Sequence, residues 1–306
     1  MQPVMSERPE QALLSNPRSD RVKAVARLSG RSARLRAGRF LVEGPQAVRE
    51  AVTHTVERRH HSPAGAPRAG AVRELYATGE AAQRYPEILE SAATAGIFAR
   101  PVSDEVLAAM LAEGGTLSPQ GLLAVCDLIT VDLEPVLAAA PALVAVLSQV
   151  RDPGNAGTVI RAADAAGADA VLLTDASVDV HNPKAVRATA GSLFHLPVVA
   201  GVPLPDVVAG LRAAGLRVLA ADGAGAIDLD DLSDEAETDP GALLAGPVAW
   251  VFGNEAWGLP DADRALADAV VRVPVHGRAE SLNLATAATV CLYATARAQR
   301  RAARRR

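Results

Sequence analysis

The sequence predicts an α/β protein in which strands and helices alternate along two successive units. Hydrophobic residues make up 49% of the 306 residues and aromatic residues only 3%. The core must therefore consist mainly of Ala, Val and Leu, which suits helices packed on a parallel sheet. Continuous apolar runs such as 143–147 are typical of strands that are buried on both faces. Strand-like and helix-like segments alternate in both halves of the chain, as expected of α/β folds.

Changes in composition divide the chain into four segments. Residues 1–17 are rich in Pro and polar side chains and are expected to form a disordered leader. Residues 18–127 are predicted to form the first and smaller α/β unit. Residues 128–141 contain Pro135 and Pro141 and are predicted to be a linker. The second α/β unit covers residues 142–306.

The first unit is expected to begin with a basic helix at 19–28 and a basic connector at 31–39. A short strand at 40–43 then leads to Gly44 and Pro45, and a Pro in the first turn favours a helix, here predicted to reach residue 56. A loop rich in Pro, Gly and Ala follows at 60–70. The remaining elements are predicted as a strand at 72–77, a helix at 79–95, a strand at 97–99, a helix at 104–112 and a strand at 121–126.

In the second unit, apolar runs predict the strands and helical periodicity predicts the helices between them. Gly167 is the expected end of the first helix, because glycine readily adopts the left-handed conformation found there. The acidic segment 223–246 is predicted to be an exposed insertion. The strands are expected at 143–147, 170–173, 197–200, 216–220, 248–252 and 270–273, and the helices at 156–167, 184–191, 206–214, 261–267 and 282–301.

Charge is distributed unevenly, although the net charge is only -4. Nine Lys or Arg and two acids lie between Arg18 and Arg49, and the chain after Glu280 contains six Arg and no acid. Residues 222–239 carry eight acids and no base. Basic ends on an acidic body favour a polyanionic partner, nucleic acid first. The alternative is a set of solvated basic helix faces in a chain whose composition is rich in Arg.

Composition also argues against several classes of protein. Cys126 and Cys291 lie in apolar contexts without metal-ligand spacing, so each is expected to be a small buried hydrophobe in a reducing compartment, and no metal site is predicted. The chain lacks an apolar run of eighteen residues and a signal sequence, so no membrane segment and a cytoplasmic location are expected. Dinucleotide G-x-G-x-x-G, phosphate-binding Walker and G-x-S-x-G motifs are absent.

Polar residues that follow strands are the candidates for chemistry, because open α/β sheets bind ligands beyond the carboxyl ends of their strands. Asn155 is expected to cap a helix in which Arg161 is a charge among apolar residues, and both are candidate site residues. The simpler alternative is a helix cap and an Arg whose charge reaches solvent, with no role in chemistry. Glu255 follows the strand 248–252 and is either a ligand-orienting group or a turn residue. Ser281 and Asn283 precede the last helix, which either of them is able to cap.

A basic pair lies in the second unit between two of its strands. Lys184 and Arg187 are three residues apart, so one helix face presents both to a phosphate. A solvated basic face explains the same spacing.

Taken in order, these segments resemble the SpoU/TrmH family of RNA 2'-O-ribose methyltransferases. The motifs are Asp-Pro-Gly-Asn-x-Gly-x-x-x-Arg at 152–161, Asn-Pro-Lys-x-x-Arg-x-x-x-Gly at 182–191, Phe-Gly-Asn-Glu-x-x-Gly-Leu at 252–259 and Ser-Leu-Asn-x-x-x-Ala at 281–287. The resemblance covers residues 143–297. Segments 40–51 and 118–125 are similar to the substrate-binding extension of that family, which has an L30e-like fold.

The resemblance implies a fold and a cofactor. The expected architecture is a C-terminal α/β trefoil knot with a parallel sheet, plus a smaller N-terminal L30e-like α/β domain, and the knot would be an exception to the rule against threaded chains. Its loops would bind S-adenosylmethionine in a bent form, largely through main-chain groups. The positions that match the cofactor-binding residues are Ala221, Phe252, Gly253, Val273, Pro274 and Leu282.

The resemblance also implies a reaction, in which a ribose 2'-hydroxyl attacks the methyl group of the cofactor. Arg161 matches the residue at the hydroxyl and is expected to position the hydroxyl and a phosphate, with the general base left open. Glu255 is expected to orient Arg161 or Asn155. Ser281 and Asn283 complete the matching active-site positions.

The implied partners are RNA and a second copy of the chain, packed through the knotted domain. Ribosomal RNA, most of all 23S rRNA, is favoured over transfer RNA, and a non-catalytic RNA-binding paralogue or a nucleotide-dependent oxidoreductase are the alternatives. Housekeeping modification and antibiotic self-resistance are both compatible with the motifs. The residues expected to contact RNA are Arg21, Lys23, Arg27, Arg31, Arg34, Arg36, Arg39, Lys184 and Arg187.

Overall fold

A computed structural model describes residues 12–61, 70–114 and 119–305. The chain forms two compact units, which divide between Asp127 and Leu128. Of the segments singled out above, residues 1–11 of the expected leader, most of the loop 60–70 and Ser118 of the segment 118–125 lie outside the described residues.

The first unit is a small mixed sheet with helices around it. In its described part the strand order is β1-β4-β2-β3, with β4 antiparallel to both β1 and β2, and β3 parallel to β2. The strands are β1 (Arg39–Glu43), β2 (Val72–Ala77), β3 (Ala99–Pro101) and β4 (Leu122–Asp127). The helices are α1 (Asp20–Ala26), α2 (Arg31–Ala37), α3 (Pro45–His61), α4 (Gly79–Arg84), α5 (Pro86–Thr94) and α6 (Asp104–Leu111).

Two predicted elements of this unit are wrong in detail. The single helix expected at 79–95 is two helices, because Tyr85 precedes Pro86 and has a non-helical φ of -129°. A residue before proline avoids the helical region, and the proline then begins α5. The strand expected at 97–99 lies instead at Ala99–Pro101.

The expected disordered leader is too long. The backbone N–H of Leu14 donates to Pro101 O at 2.9 Å, and Leu14 O accepts from the N–H of Ser103 at 3.2 Å. Leu14 thereby pairs with Val102 as an isolated bridge and packs against the core cluster beneath α1 and α6. Hydrogen bonds and apolar contact order this stretch in spite of its composition.

The second unit is built on a parallel sheet with the strand order β7-β6-β5-β10-β8-β11-β9. The predicted α/β class with a parallel sheet is confirmed. The strands are β5 (Leu143–Leu147), β6 (Ala170–Thr174), β7 (Val198–Val202), β8 (Arg217–Ala221), β9 (Ile227–Asp228), β10 (Val248–Phe252) and β11 (Ala269–Arg272). The helices are α7 (Leu133–Ala138), α8 (Pro153–Ala166), α9 (Pro183–Thr189), α10 (Leu204–Ala213), α11 (Leu229–Thr238), α12 (Asp261–Arg264) and α13 (Leu284–Arg305).

The register of the central strands decides where the site lies. Every residue of β5, β6 and β10 is buried, as the continuous apolar runs predict. Phe252 at the end of β10 pairs with Leu147 of β5 on one side and with Ala221 of β8 on the other. The loops that follow β5, β10 and β8 therefore begin side by side at one edge of the sheet.

Two stretches expected to lack regular packing are structured. The predicted linker contains α7, and Val131 pairs with Val199 of β7. The predicted exposed acidic insertion contains β9 and α11, and α11 buries Leu229, Leu232 and Ala236. The acids lie on the opposite, solvated face of an amphipathic helix, which a reading by charge alone misses.

The last helix, α13, packs across the second unit. It buries Ala288, Cys291, Leu292 and Thr295, and Trp250 Nε1 of β10 donates to Thr295 Oγ1 at 2.8 Å. Burial raises the pKa of the Cys291 thiol to about 12 and also raises that of Cys126. Both thiols are buried, in agreement with the sequence.

The described residues show neither a membrane span nor a metal cluster. None of the helices in the described ranges is both long enough and apolar enough to cross a bilayer. Across the same ranges, His, Cys, Asp and Glu do not gather in threes that would hold a metal ion.

Candidate active site

A cleft of about 620 Å³ opens where the loops after β8, β10 and β11 meet the start of α13. The six residues expected to bind the cofactor all line it: Ala221, Phe252, Gly253, Val273, Pro274 and Leu282. The sheet register brings the first of these together with Phe252, and the segment after β11 supplies the opposite wall. Glu255 and Ser281 of the expected catalytic set also line the cleft.

The loop after β10 is held tightly against itself. The backbones of Asn254 and Gly258 exchange two hydrogen bonds of 2.9 Å. A Cβ atom on Gly253 would lie 2.4 Å from the carbonyl carbon of Gly258, so only glycine permits this approach.

Asn254 clamps that loop to the end of β5. Its side chain is only 6% exposed, its Nδ2 donates to Gln149 O at 2.7 Å, and its Oδ1 accepts from the N–H of Ala256 at 2.9 Å. Burial of an amide is favourable only when its hydrogen bonds are made, as they are here. The sequence reasoning left Asn254 out of the site, although its place between Gly253 and Glu255 in the motif was a usable signal.

Ion pairs hold the part of the cleft wall formed by the loop after β8 and the end of β11. Arg272 Nη2 lies 3.0 Å from Asp228 Oδ2, and its Nη1 donates to Gly225 O at 3.2 Å. Asp222 lies against Arg264, with 3.3 Å between Oδ2 and Nη1. Asp222 and Arg272 were not singled out from the sequence, because single charges in loops carry no motif.

A polar cluster adjoins the cleft, centred on Glu255. Its Oε1 accepts from Asn155 Nδ2 at 3.2 Å and from the N–H of Asp152 at 3.1 Å. Asn283 Nδ2 in turn donates to Asn155 Oδ1 at 3.1 Å. The amide of Asn155 is thus held from both sides, with Glu255 accepting and Asn283 donating.

The helix caps at the site differ in part from expectation. Asn283 caps α13, since its Oδ1 accepts from the N–H of Ala285 at 2.9 Å. Asn155 does not cap α8, so that expectation is wrong. The cap is Asp152, whose Oδ1 accepts from the N–H of Asn155 at 2.8 Å, which places Asn155 inside the first turn.

Asp152 also holds Lys184. The Lys184 ammonium lies 2.8 Å from Asp152 Oδ2. This ion pair first, and the hydrogen bond from the Asn155 backbone second, lower the pKa of the Asp152 carboxyl. Lys184 is therefore engaged within the chain, where the sequence placed a phosphate contact.

Comparison of the chain with known proteins identifies its family. Residues 142–293 match the model of the SpoU rRNA Methylase family. A 23S rRNA (guanosine(2553)-2'-O)-methyltransferase, RlmP of Bacillus subtilis (strain 168), is 33% identical over 280 residues, which cover 92% of this chain and 97% of that relative. The chain belongs to the SpoU family. The resemblance drawn from the four motifs is thereby confirmed.

Other SpoU proteins agree. A 23S rRNA (uridine(2479)-2'-O)-methyltransferase of Streptomyces viridochromogenes is 36% identical, over 89% of this chain and 87% of that protein. The crystal structure of the SpoU methyltransferase AviRb from the same species, in complex with the cofactor AdoMet, matches with a TM-score of 0.70 at 32% identity, covering 91% of this chain and 98% of that chain. An AdoMet-bound rRNA methyltransferase from Sinorhizobium meliloti matches with a TM-score of 0.73 at 27% identity, covering 94% and 97%.

In this SpoU chain Arg161 lies apart from the cleft. It is exposed on α8, six residues after Asn155, which is about 9 Å along a helix axis and on a different side. Within the described ranges its side chain makes no hydrogen bond or ion pair, and it does not line the cleft. Of the two residues that Glu255 was expected to orient, the structure brings it to Asn155.

One of the N-terminal arginines expected to meet RNA is buried. Arg34 is only 2% exposed, and its Nη1 donates to Leu28 O at 3.0 Å and to Ser29 O. The expected RNA contact at Arg34 is therefore wrong, since its guanidinium satisfies carbonyls at the end of the preceding helical turn.

The other N-terminal cations divide into two groups. Arg21 and Arg39 both lie against Glu74, at 2.6 and 3.7 Å, and Lys23 lies near Asp20 at 3.9 Å. The remaining three are exposed and have no ion pair in the described part of the chain: Arg27, Arg31 and Arg36.

The C-terminal arginines are partly neutralised by the acidic helix α11. Arg297 and Arg301 reach Glu237 at 2.8 and 2.7 Å, and Arg305 Nη2 donates to Glu237 O at 2.6 Å. Arg301, as the strongest contributor, lowers the pKa of the Glu237 carboxyl. The acidic segment and the basic end of the chain are thus one packed feature.

Proposed function

We propose that this protein transfers a methyl group from S-adenosylmethionine to a ribose 2'-hydroxyl of ribosomal RNA, with 23S rRNA as the substrate. The observation that carries the proposal is the cleft, which gathers the six expected cofactor positions at one sheet edge beside the Glu255–Asn155–Asn283 cluster. Membership of the SpoU family and the 23S rRNA methyltransferases among its relatives support it.

The cleft fits the proposed cofactor in size and in chemistry. About 620 Å³ lies within the range of pockets that enclose small molecules. Phe252, Pro274 and Leu282 offer apolar surface, and Gly253 lets the loop backbone pack closely against Gly258 at the wall of the cleft. Three carboxylates line the cleft against one guanidinium, which favours a group of positive charge: the carboxylates are Asp222, Glu255 and Glu280.

The chain's own residues then align the reacting groups. The cofactor supplies a methyl group that is already activated on a sulfonium, so the protein has to align the hydroxyl with it and promote loss of the proton. Arg161 donates hydrogen bonds to the ribose hydroxyl and a neighbouring phosphate. A guanidinium has no acceptor atom, so the hydroxyl proton leaves to a group other than protonated Arg161. Glu255 holds Asn155 and the start of α8 in place.

The outward position of Arg161 supports a homodimer. Val290 and Tyr293 of α13 are exposed, and Tyr293 Oη donates to Ala165 O of α8 at 3.4 Å, so the two helices present one continuous face that carries Arg161. A second copy packed on this face brings Arg161 of one chain toward the cleft of the other. The proposal includes the trefoil knot of the family and a cytoplasmic location, where ribosomal RNA is found.

The first unit acts in this proposal as the RNA-binding domain. Arg27, Arg31 and Arg36 are exposed on or beside its basic helices and supply phosphate contacts. Four of the other expected cations lie beside an acid of the chain and contribute less to this surface: Arg21, Lys23, Arg39 and Lys184. Arg187 completes the expected set.

Mapping of 2'-O-methylated riboses in rRNA from cells with and without the protein tests the function. We expect one ribose of 23S rRNA to lose its methyl group when the protein is removed. An unchanged rRNA map together with a lost site in transfer RNA would redirect the proposal to tRNA. Calorimetry that finds no binding at millimolar S-adenosylmethionine would leave a non-catalytic RNA-binding protein.

A further inference from the structure

We propose that Trp257 is a stacking platform for an unpaired RNA base beside the target ribose, with Arg151 contacting the adjoining phosphate. This inference rests on the proposed function and adds to it a residue that selects single-stranded RNA. The two tryptophans of the chain have opposite surroundings: Trp250 is fully buried and hydrogen-bonded to Thr295, whereas Trp257 is 51% exposed.

The indole of Trp257 lies at the edge of the cleft. Its neighbours in sequence, Ala256 and Gly258, both line the cleft, and Trp257 itself does not. The side chain is therefore presented outward from the loop that forms one wall of the site. A base held on it would be within a nucleotide or two of a ribose at the cleft.

The loop that carries Trp257 is firmly held. Asn254 and Gly258 close it with two backbone hydrogen bonds, and the buried Asn254 amide ties it to Gln149 O. Gly258 has a φ of +68°, a left-handed conformation suited to glycine. A rigid support lowers the entropy that a ring loses when a ligand stacks on it, which is a property of binding residues.

Arg151 gives the ring a cationic neighbour. Its guanidinium carbon lies 5.1 Å from the centroid of the indole, within the range of a cation–π contact. The N–H of Arg151 donates to Glu255 Oε2 at 3.3 Å, so the pair is fixed to the same carboxylate that holds Asn155. An aromatic ring for the base and a guanidinium for the backbone are the two groups that proteins use to bind single-stranded RNA.

Fluorescence tests the stacking directly, because the other tryptophan is shielded. A single-stranded RNA of ten nucleotides and mixed sequence is expected to quench the wild-type emission. Trp257→Phe retains only buried Trp250 and should show no such quenching. The same RNA annealed to its complement is the control, since a duplex offers phosphates and no free base face. Equal quenching by strand and duplex, or quenching that persists in Trp257→Phe, overturns the proposal.

Kinetics give the second test. We expect Trp257→Ala to raise KM for the rRNA substrate about tenfold, which equals about 1.4 kcal/mol and falls within the range for one stacked base. The kcat and the Kd for S-adenosylmethionine should stay near their wild-type values, and Trp257→Phe should recover most of the loss. Val131→Ala shortens another exposed apolar side chain of the second unit, 36% exposed and paired with β7, and is the control.

Two outcomes separate this inference from its alternatives. If the wild type methylates rRNA and Trp257→Ala has an unchanged KM, the stacking role is refuted while the proposed function stands. If Trp257→Ala lowers the molecular mass measured by light scattering, the ring is a contact between copies of the chain and not a base platform. If the wild type methylates no RNA, the quenching experiment still decides whether the ring stacks on bases.

Discussion

The cleft and the outer face of α8 differ in how completely a single chain builds them. The cleft takes its walls from three strand ends and the start of α13, all within one chain. The face of α8 carries Arg161, exposed and directed away from that cleft. One chain thus builds the whole cleft proposed to hold the methyl donor, whereas Arg161, proposed to meet the ribose hydroxyl, is exposed outside that cleft.

The contrast has a physical cause. The cleft lies at the ends of β8 and β10, whose positions follow from the hydrogen bonds of the parallel sheet. A guanidinium carries a charge and five N–H donors, so it is buried only when these donors are paired, as in Arg34. The exposure of Arg161 is compatible with the phosphate contact proposed for it.

The largest expected effect is a loss of methyl transfer without a loss of cofactor binding, on substitution of Arg161. Arg161→Ala should lower kcat for rRNA methylation at least about a hundredfold, the loss usual when a charge-stabilising donor is removed. Its Kd for S-adenosylmethionine should not change, because Arg161 does not line the cleft. Single-turnover assays and calorimetry measure the two quantities. Arg217→Ala, at the opposite end of β8, is the control, and wild-type turnover in Arg161→Ala would refute the assignment.

Substitution of Gly253, in contrast, is expected to weaken cofactor binding itself. Gly253→Ala should weaken cofactor binding about ten- to a hundredfold, because the new methyl group lies 2.4 Å from the Gly258 backbone and forces the loop apart, at a cost of about 1–3 kcal/mol. Calorimetry with S-adenosylmethionine measures this loss. Gly277→Ala has nothing within 4 Å of its added carbon and should bind normally. Equal affinities for both variants would show that the cleft is not the donor site.

The basic segment of the first unit allows a similar comparison, between the buried Arg34 and the exposed Arg31. Arg34→Ala should lower the free energy of unfolding by about 1–3 kcal/mol, because the carbonyls of Leu28 and Ser29 lose a buried donor. Arg31→Ala, a change at an exposed position, should leave stability unchanged and reduce the salt dependence of RNA binding. Urea titration and binding at several salt concentrations distinguish them. A stable Arg34→Ala protein with weakened RNA binding would reverse our assignment.

The smallest effect is expected at Asp152, which caps α8 next to Glu255 of the cleft. Asp152→Ala should cost about 1 kcal/mol of stability through loss of the helix cap, whereas Asp152→Asn should retain most of it. The folded state lowers the pKa of this carboxyl, so its contribution is present above the ordinary value of about 4 and is lost as the pH falls below it. Urea titrations at pH 6 and pH 3 should show a larger acid loss for wild type than for Asp152→Asn. Equal losses would exclude Asp152 as the cause.

Sequence reasoning succeeded where the signal was local and continuous. The apolar runs of β5 and β10 located the central strands, and their register then brought Ala221 and Phe252 together as expected. The order of the four motifs identified the family. The sequence offered Ser281 and Asn283 as caps of the last helix, and the structure selects Asn283.

The misses arose where distant residues decide the outcome. Asn155 and Asp152 are both good caps, and the choice of Asp152 depends on where the chain leaves β5 and on Lys184, thirty-two residues away. The burial of Arg34 depends on the fold of the turn before it. The acids of α11 concealed a three-residue apolar stripe, which is too short to stand out from the charge around it.

The position of α13 has a consequence for synthesis of the protein. This helix leaves the ribosome after every strand of the second unit, yet it supplies the partner of the buried Trp250 indole and packs on both α8 and α11. Before α13 emerges, the second unit lacks the helix that covers this apolar face, so we expect its packing to be completed only after translation passes α13. A stop codon before Cys291 should therefore yield an aggregating chain, while the first unit upstream of it is already folded.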